Sequence, residues 1–202
     1  MYNVIAITRE FGSLGRQIAK FVAEKMNYDY YDRDIIDKIA EDFDVGIKEL
    51  TTNESKFGKG IYGKMMYPLG TGGYEKQERL YDSERKVIEY LAMRKNCVIV
   101  GRCADYILKQ AGNCNVFSVF IYAPYSARYS NGLNNFGLTS EALMECMDKV
   151  DGARELFYKR HTGEAFNSIK YRDLMIDSSI ANPSEIADMI CYCAEVRFRE
   201  NR

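Results

Sequence analysis

The sequence predicts an α/β fold in which one parallel sheet is covered by helices on both faces, and three observations predict it. Short runs that are almost wholly apolar and rich in β-branched residues recur along the 202 residues: Val4-Ile5-Ala6-Ile7, Cys97-Val98-Ile99-Val100 and Val116 to Ala123. Strands of that kind are buried on both faces, as the inner strands of a parallel sheet are. The segments between them place apolar residues three and four apart, the period of a helix. Turn residues separate the two kinds of segment, so strand and helix alternate in the order of stacked βα units.

The elements follow in order. Asn3 to Thr8 is the first strand, and the turn Gly12-Ser13-Leu14-Gly15 leads into a helix with Ile18, Phe21, Val22 and Met26 on one stripe. Tyr28 to Asp32 reads as a short second strand feeding a helix that carries Ile35, Ile36, Ile39, Ala40 and Phe43. From Thr51 to Tyr74 the period breaks. Gly58, Gly60, Gly63, Gly70, Gly72 and Gly73 mark a long loop, and Tyr62, Tyr67 and Tyr74 within it pack on the core or stack on a base. Glu75 to Arg94 is a helix with Leu80, Val87, Ile88 and Leu91 on its inner face, delivering the chain to the strand that ends at Gly101-Arg102. After the Val116 to Ala123 strand and Pro124, Thr139 or Ser140 caps a helix bearing Leu143, Met147 and Val150. Leu174-Met175-Ile176 is a short last strand. Asn182-Pro183-Ser184-Glu185 supplies a cap residue, a proline at the first helical position and an early glutamate, which start a final helix along Ile186, Met189, Ile190 and Cys193.

Composition narrows the functional classes. The chain is 47% apolar and 28% charged, enough for one sizeable core, and a single domain over 1–202 is expected. Lys plus Arg number 28 against 29 for Asp plus Glu, so the net charge of -1 gives no general field for nucleic acid or an anionic membrane. Any anion site must be built locally. No apolar run approaches the roughly 20 residues of a membrane helix, and the first residues lack the pattern of a secretion signal. A cytoplasmic protein is expected. Cys97, Cys103, Cys114, Cys146, Cys191 and Cys193 fall inside apolar or helical patterns and read as reduced, packed thiols. With His161 the only histidine, no metal site of protein ligands is expected.

A glycine turn between a buried strand and an amphipathic helix is an anion site by construction, because free backbone N–H groups and the helix dipole converge there. The candidate phosphate-binding residues are Gly12, Ser13, Leu14, Gly15, Arg16 and Gln17. Against the phosphate-loop pattern G-x-x-x-x-G-K-[ST], only the second glycine matches, at Gly15.

The segments Ile7-Thr8-Arg9-Glu10-Phe11-Gly12-Ser13-Leu14-Gly15-Arg16-Gln17-Ile18-Ala19, Tyr31-Asp32-Arg33 and Val98 to Asp105 resemble the cytidylate kinase-like family. So do Ile121-Tyr122-Ala123-Pro124 with Arg128, Asp151-Gly152-Ala153-Arg154 with Tyr158, and Asp173 to Ser178, colinear from residue 3 to about residue 190. The resemblance implies a three-layer P-loop NTPase-type fold with a nucleotide-binding insert at about 33–95 and a lid at about 128–170. It further implies ATP as phosphoryl donor and Mg²⁺ held mainly through nucleotide and water. Arg16, Arg128, Arg154 and Arg160 become candidates for neutralising the transferring group, and Asp32, Arg33, Arg102, Asp105 and Asp151 for binding the acceptor.

This chain departs from that pattern at four places. The loop lysine is Arg16, a planar fork in place of a compact ammonium. The metal-binding hydroxyl is Gln17. Relatives carry glycine where Leu14 stands, and the expected second lid arginine is Asn131. Structural alternatives stand beside each role: a solvated charge for Arg16, a salt bridge to Asp32 or Asp105 for Arg102, and simple helix-face pairing for Asp151, Arg154 and Tyr158 at i, i+3 and i+7. His161 reads as a polar lid residue without a catalytic role. Two functions fit: a nucleoside monophosphate kinase-like phosphotransferase from ATP to a small acceptor, CMP first, or a nucleotide- or phosphate-binding module without turnover. No motif sets the acceptor or the oligomeric state.

Overall fold

The computed structural model describes residues 1–36 and 74–200. Five strands, β1 (Asn3–Arg9), β2 (Asp29–Tyr31), β3 (Cys97–Val100), β4 (Asn115–Tyr122) and β5 (Leu174–Asp177), form one sheet in the order β2-β3-β1-β4-β5. Every neighbouring pair is parallel. The three apolar runs are the three inner strands, as their burial on both faces requires. The helices are α1 (Gly15–Met26), α2 (Tyr74–Ala92), α3 (Ala104–Ala111), α4 (Tyr125–Phe136), α5 (Ser140–Thr162) and α6 (Pro183–Glu200).

The pleat of β1 divides the core. Ile5 and Ile7 face Ile18 and Val22 of α1 and Ile186 and Ile190 of α6. Val4 and Ala6 face Ile88 and Leu91 of α2 and Ile107 and Leu108 of α3. All these side chains are buried, and each fully buried Ile or Leu contributes about 1.5–3 kcal/mol by leaving water. A third, smaller cluster joins Phe11 after β1 to Leu143, Cys146, Met147 and Val150 of α5. It seats the α4–α5 pair on the loop that follows β1.

Local signals explain the boundaries. The Thr139 hydroxyl accepts from Ala142 N–H at the start of α5, and Asn182 accepts from Ser184 and Glu185 N–H at the start of α6 while Glu185 accepts from Asn182 N–H. Edge strand β5 is held by a polar anchor. The single hydroxyl proton of buried Ser118 is shared between the Tyr171 carbonyl (2.6 Å) and Asp173 (2.8 Å), and its N–H is donated to Asp173 (2.7 Å). Burial alone would raise the Asp173 pKa, but these bonds and Lys109 hold it below the usual carboxylate value.

Helices α3 and α4 are not signalled by the sequence. α3 begins after two residues in the left-handed region, Arg102 (φ 55°) and Cys103 (φ 54°), with no capping side chain. α4 is polar and contains Gly132, which in a helix interior costs about 1 kcal/mol relative to alanine. The glycine is there because a Cβ at that position would lie 2.6 Å from Leu143 of α5. Close helix approach wins over propensity.

The six cysteines are free and five are buried; burial raises Cys97 to about 12 and Cys114 and Cys191 to about 11. Among the described residues no helix is long and apolar enough to cross a membrane. The glycine- and tyrosine-rich stretch 51–73 and most of the expected insert lie outside the described residues.

Candidate phosphate-binding site

Strand order reverses about β1, whose neighbours β3 and β4 leave it on opposite sides. In open parallel sheets that reversal opens a crevice at the carboxyl ends of the strands. A cavity of about 460 Å³ occupies the crevice here, lined by the 8–12 and 14–17 segments, by 100–103, and by side chains of α4 and α5.

The loop is shaped by its neighbours as much as by its own residues. Gly12 takes φ 76°, and a Cβ there would lie 2.5 Å from the Arg128 carbonyl oxygen, so only glycine lets α4 approach. Leu14 is the residue before α1 and sits at φ 57°, a left-handed conformation that costs a side-chain-bearing residue about 1–2 kcal/mol. Its side chain packs partly against the α1–α6 core. No side chain caps α1, so its first N–H groups face the loop.

Arg128 and Asp151 clamp this loop from the α4–α5 side. Arg128 donates to the Phe11 carbonyl (3.2 Å) and to Asp151 Oδ2 (2.5 Å), and its Nε lies 3.3 Å from Glu10 Oε2 as an ion pair. Asp151 accepts the Phe11 N–H at 2.8 Å. Asn131, at the expected arginine position, donates its amide to the Gly12 carbonyl at 2.9 Å. Glu10 also accepts the Ala123 N–H; burial raises its pKa against the pull of that bond and of Arg128.

The cavity wall is basic. Arg9, Arg16, Lys20, Arg33, Arg102 and Arg154 line it against the carboxylates of Glu10 and Asp34. In a chain of net charge -1, this excess of cations over carboxylates makes the wall locally positive. Arg154 of α5 donates to the Arg9 carbonyl at 3.1 Å and lies 3.4 Å from Asp151. Burial lowers its pKa against the pull of Asp151. The helix-face set Asp151, Arg154 and Tyr158 thus points inward, and the surface-pairing alternative does not hold.

Several expected residues are engaged by other side chains or lie away from the cavity wall. Arg16 lines its mouth, but Nη2 is 3.0 Å from Asp32 and 2.9 Å from Asp34. Although burial works against it, these carboxylates raise its pKa. Asp32 is buried, accepting also from Tyr30 and from the Ile35 N–H. Arg102 lines the cavity, yet its ion pair is with Glu84 of α2 (3.0 Å), correcting the expectation of Asp32 or Asp105; both side chains are buried. Asp105 lies in the core instead of at an acceptor site, accepting from Tyr158 (2.8 Å) and paired with Arg172. Arg160 is exposed near the end of α5 and is not on the wall. His161 is no lid surface residue: its ring stacks on Tyr81 at 3.7 Å and meets Phe157 edge-on at 4.6 Å.

Sequence reasoning passed over Arg9. Its side chain runs from the end of β1 between two glycines, so close that a Cβ on Gly15 would lie 2.6 Å from Arg9 Cβ and one on Gly101 would lie 2.4 Å from Arg9 Nη1. Burial, then the neighbouring charges of Arg154 and Arg16, push its pKa well below the ordinary arginine value.

Comparisons with known proteins agree with this architecture. An uncharacterized protein from Eubacterium ventriosum ATCC 27560 is 23% identical, with a TM-score of 0.71 over 95% of this chain and 98% of that one. A gluconokinase from Sinorhizobium meliloti 1021 (13% identity, TM-score 0.56, 98% and 94% covered) shares the fold. So does the shikimate kinase from Acinetobacter baumannii solved with shikimate (16% identity, TM-score 0.50, 94% and 91% covered). No curated protein matches. The sequence profile described as the cytidylate kinase-like family spans residues 4–180, and the chain, a P-loop kinase-type α/β protein, belongs to that family.

Proposed function

We propose that this chain transfers the γ-phosphoryl group of ATP to a small acceptor, with CMP as the first acceptor to test. The observation that carries the reading is the concentration of six cationic side chains around an uncapped helix start at the carboxyl end of β1. Phosphoryl transfer asks a protein mainly for positioning and positive charge. The N–H groups of residues 12–17 suit the donor's phosphates, and Arg154 the transferring group. Arg33 and Arg102, which line the cavity, are assigned to the acceptor, with Asp32 orienting Arg16 beside them. Arg128, Asp151 and Asn131 act at one remove, by holding the loop. The described residues include no group of three His, Cys, Asp or Glu that could hold a metal ion. Gln17 offers an amide where a hydroxyl commonly meets Mg²⁺, so the metal is assigned to nucleotide oxygens and water.

Binding without turnover is the second reading, favoured by the two carboxylates on Arg16. A coupled assay with ATP, CMP and other small acceptors across a Mg²⁺ series separates the two. Turnover is expected at raised Mg²⁺, and Gln17→Ser combined with Leu14→Gly is expected to increase the rate at low Mg²⁺, by supplying a hydroxyl and relieving φ 57° at residue 14. Nucleotide binding with no product from any acceptor establishes the binding module instead.

A further inference from the structure

We propose that Arg9 and Arg154 form the inner oxyanion site of the cavity, and that Arg9, in place of the loop residue Arg16, is the cation that meets a terminal phosphate. The inference deepens the phosphotransferase reading and rests on it for the identity of the ligand as a nucleotide. Four observations carry it.

Room is made for the Arg9 side chain at two separate turns. Gly15 opens α1 and Gly101 closes β3, and a Cβ on either would collide with Arg9. At Gly101 the φ of 86° is the firmer requirement for glycine, and the missing Cβ leaves the place that the Arg9 guanidinium takes. Two turns of different elements thus share one constraint, a guanidinium lying between them at the cavity wall.

Arg9 has no carboxylate partner among the described residues, whereas Arg16, Arg102, Arg128 and Arg154 each have one. Arg16 has Asp32 and Asp34, Arg102 has Glu84, and Arg154 has Asp151. An unneutralised guanidinium in a partly buried position is costly, and a bound anion removes the cost.

The two guanidinium groups are tied to one place. Arg154 Nη1 donates to the backbone carbonyl of Arg9, and both side chains line the cavity. Mutual repulsion contributes to the lowered pKa of Arg9, after burial. Two planar forks side by side match the several oxygens of a phosphate better than one ammonium does.

Arg16, by contrast, is half-exposed and held outward by its acidic partners. It closes the mouth and organises Asp32 and Asp34. The charge that a loop lysine commonly supplies comes here from the strand preceding the loop.

Calorimetry with inorganic tripolyphosphate, ADP and ATP tests the assignment on the wild type, Arg9→Gln, Arg9→Lys and Arg16→Gln, together with the melting temperature of each ligand-free protein. Arg9→Gln is expected to lower tripolyphosphate and ATP affinity at least tenfold, and by at least five times the factor lost in Arg16→Gln. It is also expected to raise the ligand-free Tm, because it removes an uncompensated charge; a purely structural Arg9 would lower it. Arg9→Lys, which keeps the charge and loses the fork, is expected to lower affinity at least threefold and serves if the glutamine variant does not fold. Affinity unchanged in both Arg9 variants, a greater loss in Arg16→Gln, or a folded Arg9→Gln that melts below the wild type overturns the assignment. Arg9-dependent tripolyphosphate binding without nucleotide binding leaves the assignment standing and removes the nucleotide reading. Nucleotide turnover as fast in Arg9→Gln as in wild type does the reverse, and a wild type that binds none of the three probes removes both.

Discussion

His161 shows how a single ring can set acid sensitivity. Packed between Tyr81 and Phe157, it is pushed from an ordinary pKa of 6.5 to about 4, first by burial and then by Arg160. The folded protein keeps the ring neutral down to about pH 4, while the unfolded chain protonates it near pH 6.5. The unfolded state therefore binds more protons between those values, so stability falls as pH drops through the window and is level above it. His161→Phe keeps the stack and removes the titration. Urea unfolding at pH 7 and pH 4.5 is expected to show that the variant loses roughly 1 kcal/mol less than wild type over that interval, solvent around the half-buried ring weakening the full effect. Equal losses would mean that the ring titrates normally. Arg9 belongs to the same scale. A charge at a strand's end reads in sequence as a solvated terminus, and the glycines that frame it, Gly15 and Gly101, come from different turns. No local pattern connects them.

Between elements, the closest approach is that of α4 to the loop. Gly12→Ala would force a left-handed φ on a residue with a Cβ and drive that atom into the Arg128 carbonyl. A loss of roughly 2–4 kcal/mol is expected in chemical denaturation, the strain and overpacking together. A loss under about half a kcal/mol would show that α4 yields freely. The same crowding explains what the sequence concealed. β1, β3 and β4 were legible because a buried parallel strand must be apolar throughout, and α6 because Asn182, Pro183 and Glu185 announce it. α4 was not, since its glycine and asparagines serve its neighbours: Gly132 admits Leu143, and Asn131 ties Gly12. Of the site, the loop position was readable from strand, turn and helix order. The partners of Arg102 and Asp105 were not, because Glu84 and Arg172 reach them from distant helix and loop positions.

At the scale of the molecule, two ion pairs lie buried under the cavity, Arg102 with Glu84 and Asp105 with Arg172. The first joins α2 to the turn after β3, where Arg102 and Cys103 hold left-handed backbone conformations. Removing one partner strands the other charge, so Glu84→Gln is expected to cost about 3–5 kcal/mol in unfolding free energy. A loss below about 1 kcal/mol would show that the pair is hydrated in solution. The loop, for its part, is bonded to α4 and α5 at Phe11, Gly12 and Glu10 through Arg128, Asn131 and Asp151. Loop and helix pair are thus one mechanical body. A ligand that steadies the loop through these bonds steadies the helix pair with it, and a contact on the outer surface of α4 or α5 that shifts the pair changes affinity at the loop by the same coupling free energy that the loop's ligand exerts on it.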